Sequence, residues 1–268
     1  MANPQPGDVP TMDKPPISLV QRALLPIGIV QFLVPTLPRF GVGSDIADTA
    51  TESMMRAPET PPGAFFAIWS IIFSAYLGTA LWAQFSRDHV IARIAPPLAS
   101  AGVASIIWML LRQGQTSDVL GHLVLVAMFI SAYVAARRFD ETRGTGGSPG
   151  RWVSDVATGM LAGWMTLALA LSTSELVRTL FGIANTDAEW WMLGFTLLIA
   201  VGCAQFAFSK ITASPYFVIA FAWGILGVIL NLWINVELHV PAVLTSLLAT
   251  FVLIRRLRLG ATGARARP

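Results

Sequence analysis

Charge is scarce in this sequence of 268 residues, of which only 12% are Asp, Glu, Lys or Arg. A soluble domain carries about 25% charged residues. Here 54% of the residues are hydrophobic, and the mean hydropathy is +0.64. These values exclude an ordinary soluble domain and predict a polytopic integral membrane protein whose main partner is the lipid bilayer.

Cysteine is scarcer still, since Cys203 is the single one in the chain. One thiol excludes an intramolecular disulfide and any metal site built from cysteine ligands. The basic balance, 18 Lys and Arg against 15 Asp and Glu, comes mostly from the loops and the C-terminal tail. In a membrane protein, basic loops and tails indicate the orientation of the chain in the membrane and contact with anionic lipids. We therefore expect no nucleic-acid partner.

Ionisable side chains are nearly absent from the long apolar segments. No carboxylate pair, nucleophile with its base, or relay of buried acids lies within one, which disfavours catalysis and proton-coupled transport. His122 lies near the start of the fourth segment, where we expect polar packing, with haem ligation as the alternative. Asp155, Glu175 and Arg178 are expected near helix ends.

Eight apolar segments are long enough to cross a bilayer, because about 20 residues at ~1.5 Å rise span the hydrocarbon core. The fold class that we predict is all-α, a polytopic membrane helical bundle of about eight transmembrane helices. Pro26 should bend the first helix, whereas Pro96 and Pro97 should lie in the first turn of the third. The predicted helices cover residues 17–36, 61–85, 94–111, 119–136, 153–174, 190–208, 215–234 and 240–257.

Polar stretches suggest how the chain is divided. A loop as long as residues 37–60 is often functional, and the polar residues 185–189 separate the last three helices from the first five. The predicted parts are a disordered N-terminal tail at 1–16, a five-helix core at 17–178, a three-helix C-terminal membrane extension at 187–258 and a basic tail at 259–268.

Lysine and arginine are unevenly distributed between the two sides of an eight-helix bundle. With the N-terminus inside, 14 of the 18 lie on the cytoplasmic side and 4 lie outside. Because positive charge accumulates in cytoplasmic loops, we predict that both termini are cytoplasmic. The membrane that we expect is the inner (plasma) membrane of a bacterium.

The second apolar segment carries a stripe of aromatic residues. It reads PPGAFFAIWSIIFSAYLGTALWAQF from residue 61, and Phe66, Trp69, Phe73 and Tyr76 recur at i, i+3, i+7 and i+10. These spacings place the four rings on one helix face. A lipid-facing helix needs no aromatic stripe, so this face is turned either toward other helices, as aromatic packing, or toward a flat ligand.

This segment resembles the second helix of the translocator-protein family, the tryptophan-rich sensory proteins (TspO/MBR), which begins Pro-Pro-x-Trp-x-Phe-x-x-Trp. Pro61, Pro62, Phe66 and Trp69 match this pattern, and Ala64 replaces its first Trp. Further matches in the third and fifth helices are Trp108, Trp164, Ala168 and Leu171. Serine stands in place of the family's Asn at Ser105 and Ser172, and Phe73 in place of its Tyr.

The resemblance implies a cavity lined by helices 1, 2 and 5, in a five-helix core that longer relatives extend with C-terminal helices. It implies a lipophilic small-molecule ligand, either a porphyrin or haem-type tetrapyrrole or a sterol-like molecule, bound by a sensor or transport facilitator. Residues 37–60 would form its lid. The implied ligand-binding residues are Phe66, Trp69, Phe73, Ser105, Trp108, Trp164, Ala168, Leu171 and Ser172.

Two other functions stay open at this stage. The chain could be a structural or assembly subunit of a larger membrane complex, or a membrane enzyme acting on a bound tetrapyrrole, although no catalytic constellation is visible. Gly159 and Gly163 have the G-x-x-x-G spacing on the fifth helix, which serves either internal packing or a homodimer.

The predicted topology can be tested by site-directed thiol labelling. A cysteine introduced at Gly146 should react with a membrane-impermeant reagent only from the cytoplasmic side, and one at Ser53 only from outside. Native Cys203 should stay unlabelled because it lies within a membrane helix. Labelling of both introduced cysteines from the same side would contradict the eight-helix topology.

Overall fold

The computed structural model describes residues 17–44, 57–143, 149–184 and 190–259. Within these ranges the chain contains no strand, and eight helices are long and apolar enough to cross a membrane. The predicted all-α membrane bundle is therefore confirmed. The predicted tail at 1–16, the polar break at 185–189, residues 45–56 of the expected lid and residues 260–268 lie outside the described residues.

The eight helices are numbered in chain order. Short 3-10 segments, Val34–Phe40 and Gly63–Ala67, follow α1 and precede α2, and π-helical turns extend the sixth and seventh helices. The helix bounds are Leu19–Leu33 for α1, Ile68–Phe85 for α2, His89–Gln113 for α3, Asp118–Asp140 for α4, Pro149–Phe181 for α5, Trp190–Phe206 for α6, Pro215–Leu230 for α7 and His239–Leu259 for α8.

Helix starts follow the local capping chemistry. Ser18 forms a capping box with Gln21 at the start of α1, in which each side chain accepts a hydrogen bond from the other residue's backbone N–H. Asp88 caps α3 by accepting from the Val90 N–H at 2.9 Å, and Ser214 caps α7 just before Pro215. These side chains satisfy backbone donors that have no partner inside the helix.

The start of α3 differs from the prediction. The helix begins at His89, so Pro96 and Pro97 lie well inside it rather than in its first turn. Proline lacks an N–H, which frees the carbonyl four residues earlier. For Pro97 that carbonyl belongs to Arg93, and Arg138 Nη1 of α4 donates a hydrogen bond to it at 3.2 Å. The neighbouring helix thus replaces a bond that proline removes.

Helix α5 lies at the centre of the bundle. It packs against α2, α4, α6 and α7, and it is the most buried of the eight membrane helices, whereas α1 and α8 are the least buried. Its length also exceeds the prediction, since it runs from Pro149 to Phe181 instead of 153–174. The extra turns place Glu175 and Arg178 inside the helix rather than beyond its end.

Two glycines allow close contact between α5 and α7. A Cβ atom at Gly163 would overlap the carbonyl oxygen of Phe217, and one at Gly159 would overlap the Ser214 side chain. The G-x-x-x-G spacing therefore serves packing inside the chain. The separation into a five-helix core and a three-helix extension stays a prediction, with α7 covering one face of α5.

Replacing Gly163 should test this contact. Gly163→Val places a branched side chain against the backbone of α7, and overpacking of this kind costs about 1–3 kcal/mol. We expect a lower melting temperature in non-ionic detergent, measured by thermal aggregation with size-exclusion detection. Gly202→Val is the matched control, because no side chain or other helix of the described residues lies within 4 Å of the ideal Cβ position of Gly202 on α6. Equal melting temperatures for the two variants would contradict the assigned contact.

Candidate functional site

A cavity of about 400 Å³ lies between α2, α3, α4 and α5, near the end of the bundle where α3 ends and α4 begins. This volume falls in the range of small-molecule sites, roughly 300–1,000 Å³. Among the described lining residues none comes from α1, which packs against α2 and α3 instead. The lining thus differs from the implied one, because α3 and α4 occupy the place expected for the first helix.

Four aromatic rings form the apolar end of the cavity. Trp69 of α2 lies 6.4 Å from Trp108 of α3 and 6.3 Å from Trp164 of α5, between ring centroids. Phe66 meets Trp164 edge to face at 5.7 Å. Such arrangements stabilise aromatic pairs beyond the area that they bury. The Nε1 of Trp164 is buried and has no hydrogen-bond partner among the described residues.

The aromatic stripe of α2 faces two environments. Phe66 and Trp69, in its first half, line the cavity. Phe73 does not: its ring lies 5.3 Å from Trp69 and 6.0 Å from Phe32 of α1. Tyr76 is buried against glycines of α1 and α3. Both interpretations of the stripe therefore apply, the cavity wall at one end of α2 and aromatic packing at the other.

One face of α5 forms the longest wall of the cavity. Its lining residues follow one another at helical spacing, from the aromatic end to the charged end. They are Trp164, Ala168, Leu171, Ser172, Glu175 and Arg178.

Seven of the nine predicted site residues line the cavity, and Phe73 and Ser105 do not. Ser105 lies one turn before Trp108 and is buried, with no hydrogen-bond partner for its hydroxyl among the described residues. Ala64, at the position of the family's first Trp, is exposed and outside the lining. Ligand binding by the seven lining residues stays a prediction.

An ion-pair network forms the polar end of the cavity. Arg112 Nη2 donates to Glu175 Oε1 at 2.8 Å, and its Nη1 donates to Asp118 Oδ1 at 3.2 Å. Thr179 donates to the second oxygen of Asp118 at 2.9 Å. One guanidinium on α3 thereby joins carboxylates of α4 and α5 at the edge of the cavity.

A second ion pair fixes the chain segment before α2, residues 57–62. Arg178 donates two hydrogen bonds to Glu59, from Nε to Oε1 at 2.8 Å and from Nη2 to Oε2 at 3.2 Å. Ser174, one turn earlier on α5, donates to Glu59 Oε1 at 2.8 Å. The side chains of Arg178 and Glu59 are only 2% and 3% exposed. Glu59 is therefore part of the protein interior, although it belongs to a connecting segment.

Helix α7 and the π-helical turn after it hold this segment, and the 3-10 segment that follows it, from the other side. Asn231 Nδ2 donates to the Ala57 carbonyl at 2.9 Å, and Trp223 Nε1 donates to the Phe65 carbonyl at 2.9 Å. Gly227 faces Pro61 so closely that a Cβ atom there would lie 2.6 Å from the proline Cβ. The 57–62 segment thus lies between α5 and α7, and its Ala57, Glu59 and Thr60 line the cavity.

His122 lines the cavity between the aromatic and polar ends. Its Nδ1 lies 3.1 Å from the hydroxyl of Ser172, so this contact joins α4 to α5. In the described parts of the chain no group of three or more His, Cys, Asp or Glu side chains could hold a metal ion. The histidine therefore has a polar packing partner inside the bundle.

Sequence reasoning missed the ionic part of the site. Glu59, Arg112 and Asp118 were not predicted as site residues, and Glu175 and Arg178 were expected only near a helix end. The missed signal is the continuation of the α5 spacing beyond Leu171. Ser174 and Arg178 are four residues apart and share a face, as a longer helix would have predicted.

A family model described as TSPO-like protein matches residues 27–257 of the chain. The matched range runs from α1 into α8 and includes every described residue that lines the cavity. No curated protein and no solved structure matches the chain.

The Glu59–Arg178 pair should contribute strongly to stability. Removing one partner leaves a buried charge without compensation, which costs about 3–5 kcal/mol. Glu59→Gln and Arg178→Met should each lower the melting temperature in detergent markedly, whereas the double variant should recover part of the loss.

Arg93→Met is the control for this experiment. Arg93 pairs with Glu141 at 2.9 Å, but the two side chains are 50% and 38% exposed, so its loss should cost less than about 1 kcal/mol. A double variant that loses the full sum of the two single effects would show that Glu59 and Arg178 do not act as a pair.

Proposed function

Because the chain belongs to the TSPO-like protein family and is an integral membrane protein with eight apolar helices, we propose that it binds a lipophilic, flat ligand between α2, α3, α4 and α5. On this proposal it acts as a sensor or transport facilitator for a tetrapyrrole or sterol-like molecule. The observation that carries the proposal is the convergence of Trp69, Trp108, Trp164 and Phe66 on one cavity.

The apolar end suits the body of such a ligand. Its rings come from three different helices, so a flat molecule can contact several of them at once. Tryptophan provides a large rigid surface that loses little conformational entropy on binding.

The polar end suits binding better than turnover. Each carboxylate that lines it has a guanidinium partner: Glu59 has Arg178, and Asp118 and Glu175 share Arg112. A general base must be free to take a proton from the substrate, whereas each of these carboxylates already accepts a hydrogen bond from a guanidinium. The network therefore favours the orientation of an amphipathic ligand over an enzymatic reaction.

The direction of access follows from the charge distribution. We propose that both termini are cytoplasmic, as 14 of the 18 Lys and Arg favour. The polar end, where α3 ends and α4 begins, then faces the outside of a bacterial plasma membrane. A ligand would enter from the outer leaflet or the outer aqueous phase.

Trp164 is the residue whose removal should test ligand binding. Trp164→Ala should weaken the binding of etioporphyrin, a porphyrin without charged substituents, by about tenfold or more, because the ring contacts are lost. The measurement is the shift of the porphyrin absorption band on titration with protein in non-ionic detergent.

Trp190→Ala is the matched control, since Trp190 is 71% exposed at the start of α6. We expect it to bind as tightly as the unmodified protein. If Trp164→Ala and Trp190→Ala both bind with unchanged affinity, the cavity is not the binding site, and a structural role in a membrane complex becomes the better proposal.

A further inference from the structure

The charges of the described residues that line the cavity are not balanced. Five of their side chains are charged, three carboxylates and two guanidiniums, which leaves one negative charge in excess when His122 is neutral. They are Glu59, Asp118, Glu175, Arg112 and Arg178. We propose that the ligand is a lipophilic cation, a flat ring system carrying a protonated or alkylated nitrogen, and that Glu175 is its counter-ion. This inference rests on the proposed function and narrows it.

Both guanidiniums that line the cavity already donate hydrogen bonds to carboxylates. Arg178 holds Glu59 with two hydrogen bonds in the interior, and Arg112 joins Asp118 and Glu175. An anionic group on the ligand would have to share a guanidinium with one of these carboxylates, and the two like charges would repel each other. A cationic group meets no such repulsion from the carboxylates.

Glu175 is the carboxylate best placed to receive a cation. Both oxygens of Asp118 accept hydrogen bonds, from Arg112 and Thr179, and both oxygens of Glu59 accept from Arg178. Glu175 accepts the Arg112 bond at Oε1, and its Oε2 receives none from the described residues. Its side chain is 23% exposed and lines the cavity, so a ligand can reach it.

The aromatic wall and this carboxylate line the same cavity. Trp108 is one helical turn before Arg112 on α3, and the Arg112 guanidinium contacts Glu175. A cation near Glu175 can therefore also meet the face of Trp108, where the ring quadrupole attracts positive charge. Tetrapyrroles with free carboxylates lack this complementarity, although the family resemblance would allow them.

Three tricyclic probes of nearly equal shape test the charge preference. They are N-methylacridinium, which is cationic, anthracenecarboxylate, which is anionic, and anthracenemethanol, which is neutral. Binding is measured by the fluorescence anisotropy of each probe with the full-length protein in uncharged detergent. We expect the cation to bind about tenfold or more tightly than the anion, with the neutral probe between them.

Variants of Glu175 then assign the preference to this residue. Glu175→Gln should reduce the ratio of cation to anion affinity by about tenfold and leave the neutral probe unchanged, whereas Glu175→Asp should keep most of the preference. Glu141→Gln is the matched control, because Glu141 also bridges two arginines, Arg93 and Arg137, outside the cavity lining. It should bind all three probes as the unmodified protein does.

The outcomes separate this inference from the proposed function. If the neutral probe binds and the anion binds as tightly as the cation, the cationic ligand is excluded while the flat-ligand cavity stands. A cation preference that Glu175→Gln leaves intact in a folded, neutral-probe-binding protein would overturn the role of Glu175. If none of the three probes binds the unmodified protein, both proposals fail.

Discussion

Close contact between α5 and α7 is the constraint on which the rest of the site depends. Because Gly163 has no side chain, the backbone of α7 can lie directly against α5. This position lets Asn231 and Trp223 of α7 bind the backbone before α2. The 57–62 segment in turn contacts α5, where Glu59 pairs with Arg178. The close packing of α5 and α7 therefore helps to position the segment that lines the polar end of the cavity.

The cavity wall formed by α5 is apolar at one end and charged at the other. Around Trp164 the lining is aromatic and apolar, whereas Glu175 and Arg178, three and four turns further along the same helix face, are ionised partners of other helices or of the 57–62 segment. The free-energy cost of burying a charged side chain falls toward the membrane surface, and pairing with an opposite charge offsets most of the cost that remains. One helix therefore gives the cavity an apolar end and a charged end.

Hydropathy and spacing in the sequence were enough to predict the eight helices and the aromatic face of α2, because apolar length and helical periodicity survive into the folded structure. Trp108 and Trp164 entered the expected lining only through the family resemblance. The helix ends were harder to predict. Hydropathy places the end of an apolar segment at its first charge, but α5 continues through Glu175 and Arg178 because residues distant in the sequence pair with them. Pro96 and Pro97 were misplaced for a similar reason, since Arg138 on another helix compensates for the lost backbone bond.

Neighbouring charged side chains at the polar end of the cavity have different roles. Arg178 donates two hydrogen bonds to Glu59 and one to the Ala184 carbonyl, so it holds the 57–62 segment against α5. Arg112 joins three helices at the polar end. If the ligand is a cation, as we propose, Glu175 selects its charge, because this side chain lines the cavity and its second oxygen accepts no hydrogen bond from the described residues. Ligand preference can then change through this one position while the packing of α5 with α7 and the closure at Glu59 stay as they are.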